Sequence, residues 1–155
     1  MLDIYEEFLQ LVKKFHAEGI SYALCGGLAL AIYDVIRATV DIDLLVLTQS
    51  LEHALKAATD LGYEIKANPM SFAGGKIQIH KVSKIDTDIG QPLSIDFLLV
   101  TDDLEWVWKD RKKISIEQGP IWVVSQAGLI YLKQLRGNAQ DKEDIEELRG
   151  SNESD

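Results

Sequence analysis

The chain predicts an α/β or α+β domain with a mixed β-sheet and flanking helices. Three observations lead there. Helical and strand periodicities alternate along the 155 residues instead of segregating into halves. The spacing between them is unequal, with no internal repeat, low-complexity tract or linker. Two apolar runs, VDIDLLVL and LSIDFLLV, are each interrupted by aspartate, as buried strands with a polar task would be.

The first helix follows from Ile4, Phe8, Leu11, Val12 and Phe15 at helical spacing, with Asp3 and Glu6 in the form of a capping box and Gly19 as its stop. Ser21 to Cys25 is a short strand, Gly26-Gly27 a tight turn, and Leu28 to Ile36 an apolar helix of two turns. Val40 to Leu47 is a buried strand. Ser50 to Leu61 is a helix with Leu51, Leu55 and Ala58 on one face and Gly62 beyond its end. Tyr63 to Lys66 opens another strand, NPMSFAGG is a loop, and Lys76 to Val82 alternates as a half-exposed strand. Ser94 to Val100 is a second buried strand, Asp103 to Lys109 a short helix, and Ile121 to Val124 a last strand. Ser125 caps a helix bearing Leu129, Ile130, Leu132 and Leu135; after Gly137 an acidic helix, Asp141 to Leu148, closes the fold.

Residues 1–150 form one domain by size, with 151–155 a frayed polar tail. An apolar share of 46% and a charged share of 26% are those of an ordinary globular protein, and no uncharged apolar stretch is long enough to span a bilayer. Three acids precede the first lysine, the reverse of a secretory leader, so a cytoplasmic location is expected. The net charge of −9, of which residues 138–155 contribute −5, argues against a broad nucleic-acid surface. A lone cysteine, Cys25, permits no internal disulfide and reads as a small buried hydrophobe. His16, His53 and His80 lack zinc-ligand spacing.

Hard cations with oxygen ligands stay open. Strand alternation points Asp41 and Asp43 to one side while Ile42 and Leu44 face the other. Two like charges that close are costly unless a cation joins them, and magnesium favours one or two carboxylates together with substrate phosphates. Asp96 interrupts its own strand the same way and would complete a two-metal site if the strands are neighbours. Gly26-Gly27 would let a phosphate approach the backbone at the start of the next helix. Each feature also has a plain explanation, a turn or a solvated strand edge. Their combination, Gly-Gly, thirteen residues, then Asp-apolar-Asp and a distant apolar-Asp-apolar, is far more specific.

That combination resembles the nucleotidyltransferase superfamily with the DNA polymerase β-like fold, and most the minimal bacterial branch that includes the AbiEii-type toxins. Arg37 and Thr39 before the aspartate pair, and Lys133 followed by Asp141, Asp144 and Ile145, match that branch. The resemblance covers most of the chain. It implies that Asp41 and Asp43 bind two magnesium ions with the triphosphate of an NTP, and that Asp96 binds one ion and helps activate an acceptor hydroxyl. Gly26 and Gly27 would meet the β- and γ-phosphates, and Lys133 would neutralise charge near the nucleotide. Gly27 stands where many members carry serine, and Asn138 and Gln140 where relatives often carry bases.

Lys133 is as well explained by a solvated helix face, and Arg37 by a pair with a nearby aspartate. Trp106, Trp108 and Trp122 could suggest a base-stacking platform, but Trp108 and Trp122 fit packing better, and the tryptophans are left out of the site. The expected activity is transfer of a nucleoside monophosphate to a hydroxyl on a protein, an RNA end or a small molecule. The alternative is a non-catalytic nucleotide-binding module, or one component of a toxin–antitoxin pair acting with a cognate partner protein.

Overall fold

The computed structural model describes residues 2–153. Its elements are α1 (Ile4–Glu18), β1 (Ala23–Cys25), α2 (Gly26–Ile32), β2 (Asp41–Val46), α3 (Leu51–Asp60), β3 (Ile65–Lys66), β4 (Met70–Phe72), β5 (Ile77–Asp86), β6 (Gln91–Leu99), α4 (Glu105–Lys109), β7 (Lys112–Ile116), β8 (Gly119–Val123), α5 (Gln126–Arg136) and α6 (Ala139–Glu153). The strands make one mixed sheet in the order β3-β5-β6-β2-β1-β8-β7, with β4 also on β5. Parallel pairing joins β2 to β6 and β1 to β8; the other pairs are antiparallel. The expected mixed sheet with flanking helices is thus present.

Local chemistry explains the main elements. Asp3 caps α1 by accepting from the N–H groups of Tyr5 and Glu6, and Gly19 ends it with φ of 70°. The Ser125 hydroxyl accepts from Gly128 N–H at the start of α5, and Gly137 closes that helix in the left-handed region. Phe15 of α1 stacks on Phe97 of β6 at 6.3 Å, and Ile42 and Leu44 of β2 are wholly buried. Asp96 precedes Phe97 by one residue and therefore faces the opposite side. The apolar core lies behind β2 and β6, and α5 covers part of the front.

Several boundaries differ from the expectation. NPMSFAGG contains β4, which pairs Met70 with Ile79 and Phe72 with Ile77. β5 runs past Val82 to Asp86 and turns into β6 at Gln91, the turn closing on a Gly90 N–H to Asp86 carbonyl bond of 2.7 Å. β7 precedes the expected last strand as its hairpin partner. α2 stops at Ile32, leaving Ile36 84% exposed, and Val40 lies outside β2. α6 continues to Glu153; the remainder of the predicted tail lies outside the described residues.

Candidate active site

β2 and β6 supply the first layer of the site. Their parallel register sets Asp43 opposite Asp96 and Asp41 opposite Ser94. Opposed residues on neighbouring strands share a face, so all three carboxylates sit on the front of the sheet. The row continues on both sides: Cys25 of β1 is opposite Asp43, and Lys81 of β5 is opposite Asp96. Lys81 Nζ lies 3.4 Å from Asp96 Oδ1. That oxygen is buried and accepts no hydrogen bond.

The electrostatics follow from this crowding. Burial first, then the charges of Asp96 and Asp41, push the Asp43 carboxyl up to about 8, against a partial counter-effect from Arg136. Burial also raises Asp96, which Lys81 pulls back. The Cys25 thiol is raised by burial and by Asp43, which keeps it protonated and inert, in line with its reading as a hydrophobe.

The two glycines are packed against the carboxylates. Gly26 has φ of 67°, and a Cβ there would collide with the Asp43 side chain, reaching 2.6 Å from its Cγ. A Cβ on Gly27 would stand 2.7 Å from Thr39 Oγ1. The turn is therefore bare because Asp43 and Thr39 fill the space beside it. α2 spans Gly26–Ile32 only, so its dipole adds little to anion binding there.

Arg37 and Lys133 are placed differently from the alternatives the sequence left open. Arg37 Nε is 3.1 Å from Asp144 Oδ1 on α6, so it pairs with neither Asp41 nor Asp43. Lys133 is 3% exposed and lies 2.9 Å from Asp144 Oδ2 and 3.8 Å from Asp141 Oδ1. Its place is a buried ion network between α5 and α6, because α6 packs over that side of α5. Asn138 and Gln140 serve the same network: Asn138 Oδ1 accepts from the Asp141 N–H, and Gln140 Nε2 donates to Asp144 Oδ1. Burial opposes ionisation of Asp144, but Lys133, Gln140 and Arg37 outweigh it and hold the carboxyl below its usual range.

Arg136 was not visible in the sequence as a site residue. Its Nε and NH2 donate to the two oxygens of Asp141 at 3.1 and 3.0 Å, a bidentate fork. A cleft of about 270 Å³ is lined by Gly27, Arg37, Thr39, Asp41, Asp43 and Arg136. Lys133 reaches instead into a small cavity of about 30 Å³ beside Asp43 and Gly26. A second cleft of about 460 Å³ opens on the other flank of Asp41, with Lys81 and Ser94 in its wall. Among the described residues, no group of three His, Cys, Asp or Glu side chains stands ready to enclose a metal ion. The tryptophans pack: the Arg111 guanidinium lies over Trp108 and Trp122 at 4.0 and 4.8 Å, and Trp106 tilts against Tyr131.

No family model matches the chain, and no curated protein does. Solved structures do. The chain is similar to a candidate nucleotidyltransferase from Thermotoga maritima, with a TM-score of 0.66, 13% identity and coverage of 95% of this chain and 92% of that one. A lincomycin-bound lincosamide antibiotic adenylyltransferase, LnuA, gives 0.65 at 16% identity over 93% and 95% of the two chains. ANT(2'')-Ia in complex with adenylyl-2''-tobramycin gives 0.64 at 13% identity over 94% and 87%. At these identities the likeness is one of fold, and the fold is that of nucleotidyltransferases.

Proposed function

We propose that the chain transfers a nucleoside monophosphate from an NTP to a hydroxyl acceptor in a magnesium-dependent reaction. One observation carries this reading: Asp43 and Asp96 stand opposite each other on parallel strands, with Asp41 on the same face, and Asp41 and Asp43 line a cleft bordered by Gly27. The fold neighbours add support, since two are named as adenylyltransferase or carry an adenylylated product. Asp43, raised by burial and by two acidic neighbours, marks negative charge in want of a cation, which suits a hard divalent ion. Magnesium held by Asp41 and Asp43, and by Asp96 where two ions bind, would neutralise the triphosphate and act as a Lewis acid at the α-phosphate.

The remaining roles belong to the chain. Asp96 takes the proton of the acceptor hydroxyl as the new oxygen–phosphorus bond forms and the bond to pyrophosphate breaks. Gly26 gives the Asp43 carboxylate its space, Gly27 borders the cleft with backbone that the β- and γ-phosphates would approach, Thr39 offers a hydroxyl, and Arg37 and Arg136 face the same cleft with cationic groups. Lys133 acts at one remove by anchoring Asp144, which holds Arg37. The acceptor is a protein, an RNA end or a small molecule.

A thermal-shift series tests the site. With magnesium and NTP at about 100 times the dissociation constant, the wild type gains roughly 2.7 kcal/mol and its melting temperature rises; Asp43→Asn loses most of that rise. A flat wild-type response sinks the site. Asp96→Asn keeps nucleotide binding and loses transfer of an α-labelled phosphate by at least about a hundredfold; full activity would remove Asp96 from the chemistry.

A second reading, a non-catalytic nucleotide-binding module or a component of a toxin–antitoxin pair in the AbiEii-like branch, gains support from Arg37 and Lys133 being engaged by Asp144. Under that reading nucleotide binds, no macromolecule in a lysate takes up label, and a cognate partner protein co-purifies.

A further inference from the structure

We infer that Lys81 takes the place of the second cation, so that this site holds one divalent ion with its nucleotide instead of two. The inference rests on the nucleotidyl-transfer reading above and narrows it.

The sheet register carries the argument. Lys81, Asp96, Asp43 and Cys25 form one row across four strands, all on the front face. The Lys81 ammonium ends that row 3.4 Å from Asp96 Oδ1. This oxygen is buried and receives no hydrogen bond, so the ammonium is the charge that compensates it. Asp41 and Asp43 have no such partner within the sheet: the strand neighbours of Asp43 are Cys25 and Asp96, and that of Asp41 is Ser94. The demand for a cation is therefore divided. Lys81 answers it at Asp96, and the Asp41–Asp43 pair is left open to the cleft that Gly27 and Arg136 border.

A second dication at Asp96 would have to expel the ammonium or sit beside it, and both raise the electrostatic cost. Lys81 is also tethered by β5, so its charge is present whatever the free metal concentration. The Asp96 oxygens then serve the acceptor proton, and the single ion serves the triphosphate.

Manganese counts the ions. The protein is titrated with Mn²⁺ in the presence of a non-hydrolysable α,β-methylene NTP analogue, with free Mn²⁺ followed by paramagnetic resonance. Wild type and Lys81→Arg bind one ion per chain, whereas Lys81→Met, which frees Asp96, binds two. Lys81→Met with Asp96→Asn returns to one. Melting curves establish that each variant is folded, and Lys81→Gln replaces Lys81→Met if the latter is not. Two ions in the wild type, or one in the folded Lys81→Met or Lys81→Gln protein, overturn the inference while leaving nucleotide binding intact. No ion at all in the wild type sinks the nucleotide reading and this inference with it.

Discussion

Asp43 meets opposing demands: the fold buries it between two acids, and the proposed chemistry needs it charged. Its carboxyl is raised to about 8 from 3.8, so in the ion-free protein the neutral form is the stable one at neutral pH. The unfolded chain has no such preference. The stabilising effect of the bound proton is therefore complete below about pH 4 and is lost as pH rises towards 8. Denaturant titrations of the ion-free protein should show wild-type stability falling over that window, with a flatter profile for Asp43→Asn. Each tenfold change in proton affinity is worth about 1.4 kcal/mol, so the difference is measurable. Gly26→Ala should be harsher, since it adds both a left-handed non-glycine residue and a collision with Asp43. A loss of about 2–3 kcal/mol by denaturation is expected, with the nucleotide-dependent melting shift abolished. Period-two alternation was enough to pair Asp41 with Asp43, and the interruption of LSIDFLLV was enough to nominate Asp96. Lys81 could not be found that way. Its partner is fixed by strand register, which no local pattern encodes, and Lys81 lies in a strand where polar residues are expected.

At the scale of elements, α5 and α6 are joined by ions as much as by apolar contact. Lys133 and Asp144 are both almost fully buried, so removing one partner strands the other. Asp144→Asn should cost about 3 kcal/mol in chemical denaturation, and pairing Lys133→Met with Asp144→Leu should recover much of it. If Asp144→Asn is silent, the network does not hold α6. The sequence showed the lysine and both aspartates with their spacing but not their mutual pairing. Arg136 was hidden for a simpler reason: a base in the last turn of a helix is what the dipole favours anywhere, so it carries no signal of its own. β4 and β7 were missed because turn residues surround both. Met70–Phe72 lies between Pro69 and Ala73-Gly74-Gly75, and its three residues are exposed despite pairing with β5. β7 is largely polar on its outer positions and exists through its hairpin with β8.

The whole sheet turns on β1, a strand of three residues that pairs with β2 along its length but whose ladder with β8 is a single pair, Leu24 with Val123. On one side lie β2, β5 and β6 with every proposed carboxylate; on the other, β7 and β8. Native-state hydrogen exchange should therefore find the slowest amides in β2 and β6 and faster opening of β7 and β8. Equal protection on both sides would mean that the narrow joint is no weak line. The alternation of element types was legible, because it is written in periodicity. The strand order was not, because β1 pairs with a segment about a hundred residues away.

That narrow joint also bears on how the protein is made. The chain is synthesised from its N-terminal side, so its earlier strands exist before its later helices. Residues through Leu99 contain all of β1 to β6, and so the complete acidic row, before Arg136 or the α6 network has left the ribosome. A nascent intermediate with three converging acids would repel itself unless a base were built into the same half. Lys81 is that base, already in the hairpin partner of β6 when Asp96 arrives beside Asp43. Lys81 thus stands beside Asp96 as soon as the acidic row can pair, before any counter-charge from α5 or α6 exists.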